Sequence, residues 1–135
     1  MNDEVWDVDA SAISYEEARD LYGFDGADNP GSSGKYLGRP EADGPWFYLI
    51  KHRPDTVIPR HTHEADVYHY LTAGSWFVGE EGELKEPGFF HFEPEGVFWG
   101  PLRSGPDGSE FIAVYTAKPS FIPAEGNEPG YATDV

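Results

Sequence analysis

Residues 58–77 read IPRHTHEADVYHYLTAGSWF and hold three of the chain's five histidines, His61, His63 and His69. Within DVYHYLT, apolar and polar residues alternate, the pattern of a half-buried strand. Successive strand side chains point to opposite faces, so His61 and His63 share a face. If the tight turn at HEAD preserves the phase, Val67, His69 and Leu71 face the same interior. One stretch thus predicts both a β architecture and a convergence of imidazoles.

The flanking sequence extends the pattern. WFYLIKH, TVIPRHTH, DVYHYLT, SWFVGE, FFHFEP, VFWGPL and EFIAVYTA are short apolar or alternating runs, most of them bounded by Gly, Pro or Asp. Such spacing predicts an all-β antiparallel sandwich or barrel. The 16% aromatic content, with 16 Gly and 12 Pro, fits many short strands. Upstream, SYEEARDLYG places Ser14 and Glu17 at capping-box spacing ahead of Gly23, which predicts one short helix at about 15–22. The preceding MNDEVWDVDASAIS reads as an arm, whose Val5 and Trp6 suit docking on a sheet. GFDGADNPGSSGKYLGRPEADGP is a long polar loop, either solvated or a lid. The Pro/Gly-rich tail after Lys118 is an extended arm or a frayed end.

The chain of 135 residues fits one domain, 1–135, with a barrel core at about 45–117, an N-terminal arm, helix and loop at 1–44, and a tail at 118–135. There is no cysteine, which excludes disulfides, zinc ribbons and thiol nucleophiles. Any metal must be held by imidazole and carboxylate, which suits Zn, Fe, Ni, Cu or Mn. A formal charge of −16 repels phosphate backbones and anionic lipid, so no nucleic acid and no membrane are expected as partners. Neither a leader-like segment nor a membrane-spanning apolar run is visible, and a cytoplasmic location is the expectation. There is no G-x-S-x-G elbow, and GSSGK lacks P-loop spacing.

Two segments between Trp46 and Tyr115 resemble the paired motifs of the cupin superfamily. The first motif runs from Asp55, in a usual Gly position, through His61 and His63 to Val67, in the usual Glu position, and closes at Gly74. The second matches at Gly88, Pro94 and Gly96, with Trp99 in the usual His position and Arg103 in the usual Asn position. HTHEAD, LTAGSW and FEPEG are also similar to cupins of the ChrR and dihydroxyacetophenone dioxygenase group. The resemblance implies a cupin jelly-roll barrel that keeps two of four customary metal ligands. It also implies a homodimer formed by edge strands, for which the arm around Val5 and Trp6 is the candidate.

Alternation offers replacements for the two lost ligands. His69 lies one inward step beyond Val67, and His91 and Glu93 share a face in FFHFEP. The expected metal site is therefore His61, His63, His69 and His91, binding a divalent transition metal, with Glu93 as general acid or base. Trp99, Phe98 and Trp76 are candidates for an aromatic substrate wall, and Arg103 for a carboxylate clamp. Asp66 is a weaker oxygen-ligand candidate, and His52, at a strand end, is expected on the surface. Two functional readings follow. One is a metal-dependent enzyme on a small aromatic or carbonyl-bearing substrate, with oxygenase, isomerase, cyclase or lyase chemistry. The other is a non-catalytic small-molecule sensor.

Overall fold

A computed structural model describes residues 5–17, 31–38 and 44–124. Its strands are β1 (Glu16–Glu17), β2 (Ser32–Tyr36), β3 (Trp46–His52), β4 (Val57–Ile58), β5 (His61–Thr62), β6 (Val67–Val78), β7 (Glu83–Lys85), β8 (Phe90–Glu93), β9 (Leu102–Tyr115) and β10 (Ile122–Pro123). The main sheet runs β1-β2-β3-β9-β6-β7, with β4 also on β9 and β8 also on β6; β10 pairs with β5. All pairings are antiparallel. Among the described residues, no helix is long and apolar enough to cross a membrane.

Residue alternation sets the inner face. On β6, Val67, His69 and Leu71 are buried while Tyr68, Tyr70 and Thr72 are exposed, so the turn at HEAD keeps the phase. The ladder then aligns inward side chains in rungs. Tyr115, Val67 and Glu93 form one rung, followed by Tyr48, Ala113, His69 and His91, and then by Ile50, Phe111 and Leu71. His52 and Ser109 pair one rung further on. Tyr48, Ile50, Val67, Leu71, Phe111, Ala113 and Tyr115 belong to the buried core around these rungs. Phe47, Tyr68, Tyr70, Phe90 and Phe92 alternate to the outer face and are exposed.

A bulge breaks the alternation. Pairing with β9 slips between Leu71 and Ala73, and again between Gly74 and Trp76. An extra residue reverses which parity faces inward. Leu71 and Trp76, of opposite parity, are therefore both fully buried.

The expected helix is not formed where it was to start. Glu16 and Glu17 pair with Gly34 and Ser33 as a short edge strand, and the only helical turn described is 3-10, over Ala10–Ala12. The rest of the expected helix lies outside the described residues. Sheet pairing overrides the local capping signal, because Lys35 ties the segment down by donating to the Ala10 carbonyl at 2.8 Å and lying over the Tyr15 ring at 4.6 Å. The N-terminal arm is tied by Trp6, whose Nε1–H donates to the Leu37 carbonyl at 2.9 Å, while Trp6 and Val5 both remain exposed. Most of the long loop also lies outside the described residues, although its SSGKY segment is β2.

Gly74 marks a tight backbone approach between β6 and β9. Its φ is +75°, and a Cβ there would lie 2.0 Å from the Gly108 carbonyl oxygen. Gly79 has a similar φ of +80° but open space around it. In urea unfolding, Gly79→Ala should cost about 1–2 kcal/mol, the left-handed penalty alone. Gly74→Ala should cost roughly 3 kcal/mol or more, because backbone must move as well. Equal losses would contradict this packing.

Candidate metal centre

The His-x-His segment reaches the barrel interior through backbone pairing at both ends. His61 bridges to Trp99, with N–H···O distances of 2.9 and 2.8 Å, and pairs with Pro123 on β10. Both imidazoles are buried. His61 Nδ1 donates to the Pro59 carbonyl at 2.7 Å, and His63 Nδ1 donates to the Ser120 carbonyl. A carbonyl can only accept, so each ring carries its proton on Nδ1 and turns the Nε2 lone pair elsewhere. Phe121 stacks on His61 at 4.4 Å between ring centres, and His63 lies edge-on to Tyr115 at 5.5 Å.

Glu93 is the hub of the cluster. It is 3% exposed and lies directly across the ladder from Val67. One oxygen, Oε2, meets His91 Nε2 at 2.9 Å and His69 Nδ1 at 3.3 Å, while those two nitrogens are 3.0 Å apart. The other oxygen, Oε1, lies 3.8 Å from His63 Nε2. Two ligand-capable triads result, His61–His63–Glu93 and His69–His91–Glu93. The expected ring of four imidazoles is thus two pairs arranged about one carboxylate. Glu93, expected as an acid or base, occupies the ligand-bearing centre.

Electrostatics follow from burial. Burial, then the neighbouring His63, lowers His61 to about 4; burial also lowers His63 and His69. Burial alone would raise Glu93, but hydrogen bonds from His69 and His91 outweigh it and hold the carboxyl well below its ordinary value. At neutral pH the Glu93 carboxylate thus lies among neutral rings of His61, His63 and His69.

A divalent metal fits this arrangement. His63 Nε2 and Glu93 Oε1 are buried, face each other, and have no hydrogen-bond partner. Buried polar atoms without partners are rare. Bonds of about 2.0–2.2 Å to nitrogen and oxygen allow one ion to reach both atoms across that gap. The Nδ1–H bonds to Pro59 and Ser120 fix ring orientation as supporting bonds do at metal-bound histidines.

The other expected site residues divide. Trp99 lines the cavity and stands edge-on to His91 at 4.1 Å. Trp76 does not line it; the ring lies behind the imidazoles, 4.8 Å from Phe111, and its Nε1–H donates to Ser109 Oγ at 3.0 Å. Phe98 is exposed beneath the Arg60 guanidinium. Arg103 pairs with Asp55 at 3.3 Å and covers Phe77, outside the cavity, because β9 turns it to the outer side. Asp66 caps a turn, accepting the Glu95 N–H at 2.8 Å. His52 is buried and lines the cavity, contrary to the surface position expected, because WFYLIKH alternates inward through Tyr48, Ile50 and His52. Ser120 and Phe121, in the tail, also line the cavity; the β10–β5 pairing brings them there.

No protein-family model matches the chain. No curated protein matches it in sequence either. Solved structures match in fold. The polyketide cyclase RemF from Streptomyces resistomycificus aligns with TM-score 0.72 at 18% identity, covering 96% of this chain and 98% of that one. An acetylacetone dioxygenase from Acinetobacter johnsonii aligns with TM-score 0.66 at 20% identity, covering 95% and 83%. A protein from Ralstonia eutropha JMP134 with a cupin-like fold aligns with TM-score 0.67 at 20% identity, covering 99% and 83%.

The buried imidazoles make folding sensitive to acid. Burial, then His69 and His61, lowers His52 to about 3, and His61 lies at about 4, against 6.5 for each when exposed. Between the two values the unfolded chain binds more protons, so stability is full above pH 6.5 and falls as pH drops. The ionised Glu93 adds to the loss at lower pH, since its folded value is also depressed. Urea titration of chelator-treated protein should show a loss approaching about 1.4 kcal/mol per pH unit for each of His52 and His61 below pH 6.5. Flat stability from pH 7.5 to 5 would contradict neutral, buried rings.

Proposed function

From the cupin fold and the cluster around Glu93, we propose a metal-dependent enzyme that acts on a small, carbonyl-bearing organic molecule. The observation that carries the reading is the facing pair of unpartnered buried atoms, His63 Nε2 and Glu93 Oε1. His61 and His63 would hold the ion through Nε2 and Glu93 through Oε1, while His69 and His91 hold Oε2 and so aim the carboxylate. Two imidazoles and one carboxylate with open positions suit ferrous iron, and also zinc, manganese or nickel. Such an ion supplies polarisation of a bound oxygen or a position for dioxygen.

The chain's own residues define what can approach. Glu93 contributes one negative charge to the centre and His61 and His63 contribute none, so the site favours an oxygen ligand of low or negative charge. Trp99, Tyr115 and Phe121 line the cavity near the cluster with flat apolar surface that orients a planar carbonyl group. The water-accessible space is about 50 Å³. A space of this size selects a compact substrate. A cyclase and a dioxygenase among the structural neighbours support small-molecule chemistry on this fold, and fold alone does not choose between those reactions.

Metal analysis tests the reading. Protein dialysed against Zn, Fe(II), Mn or Ni should retain about one equivalent of at least one ion. His63→Ala and Glu93→Gln should each weaken retention about 10-fold or more. Wild type that retains no ion, yet binds small ketones, would replace the enzyme reading with the sensor.

A further inference from the structure

His52 lies outside both sequence motifs, and the centre proposed above does not use it. It ends β3, where the alternation through Tyr48 and Ile50 turns its ring inward. The residue is 4% exposed, lines the cavity, and its Nδ1 has no hydrogen-bond partner. Neighbouring hydroxyls do not relieve it. Ser109, directly across on β9, already accepts from Trp76 Nε1 at 3.0 Å and shares a hydrogen bond with Ser104 at 3.1 Å. Ser32, directly across on β2, also lines the cavity but leaves Nδ1 unmatched.

Place and surroundings suggest what this atom meets. Along the inner face, Glu93 sits on the rung of Tyr115 and Val67, while His52 sits on the rung of Ser109, with those of Ala113 and Phe111 between. Phe111 connects the two regions: its ring stands edge-on to His69 at 5.0 Å and to His52 at 5.1 Å between ring centres. Ile50, Ile58 and Leu102 line the same cavity with apolar surface. A buried polar atom without a partner is costly unless a ligand or water completes it.

We propose that His52 anchors the far end of the substrate, through a hydrogen bond between Nδ1 and an uncharged hydroxyl or carbonyl group. The substrate is then bifunctional: one oxygen faces His61, His63 and Glu93, and a second polar group lies several atoms away beyond Phe111. The inference rests on the metal-centre reading only for the first oxygen. The ring's neutrality, imposed by burial, disfavours a carboxylate or phosphate at this end.

Two probes of equal length isolate the contact. The ketones 5-hydroxypentan-2-one and hexan-2-one differ in a terminal hydroxyl against a methyl. NMR titration of the protein as purified should give the hydroxyketone an affinity about 10-fold higher, because a site built for a hydroxyl penalises its absence. His52→Leu should reduce the preference to within about two-fold and leave hexan-2-one binding little changed. His52→Asn, whose amide can occupy the place of Nδ1, should keep most of it. If His52→Leu does not fold, the imidazole ¹⁵N resonances of wild-type His52 decide: they should shift with the hydroxyketone and not with the ketone. No preference in wild type, a preference that survives His52→Leu, or an unmoved His52 resonance would overturn the proposal. Chelator treatment separates the two readings. If it weakens both probes alike, the metal centre stands; if it changes neither, the centre falls, and the ratio of affinities still judges His52.

Discussion

A carboxylate buried among imidazoles governs this interior. Glu93 is almost wholly removed from water, and an unpaired charge there would cost several kcal/mol. His69 and His91 compensate one oxygen with N–H groups at 3.3 and 2.9 Å. The other oxygen is left facing His63. That division ties strands β5, β6 and β8 to a common point, and it leaves a ligand-capable carboxylate oxygen facing His63. The backbone carbonyls of Pro59 and Ser120 complete the arrangement by deciding which nitrogen of His61 and His63 carries the proton.

The fold delivers these groups by simple periodicity up to Leu71 and by irregularity beyond it. Inward alternation on β6 and β8 places His69 opposite His91 and Val67 opposite Glu93. The slip after Leu71 then brings Trp76 into the core, where its ring supports His69, His91 and Phe111 from behind. The tail contributes by pairing with β5 and stacking Phe121 on His61.

Much of this was legible in the sequence. Period-2 alternation assigned the strands and the inward set of Val67, His69 and Leu71; motif spacing identified the cupin jelly roll. The same alternation put His91 and Glu93 on one face, but cross-strand register was not readable, so the carboxylate missing at Val67 was not seen to return across the ladder as Glu93. Arg103 misled because its partner, Asp55, is remote in sequence and only the β4–β9 pairing brings them together. His52 was misplaced because the charged KHRPD context outweighed the alternation of WFYLIKH, which in fact continues to its last residue. The helix expected from Tyr15 does not start there for the opposite reason: at Glu16 and Glu17 a local capping signal yields to pairing with a strand that only the fold provides.

X-ray absorption on protein loaded with a single divalent ion tests the central claim most directly. The account predicts a nitrogen and oxygen shell at about 2.0–2.2 Å with the outer scattering of two or more imidazole rings, and loss of that ring signal in the double variant His61→Ala/His63→Ala. A fully hydrated ion without ring scattering, or a ring signal unchanged in that variant, would contradict it.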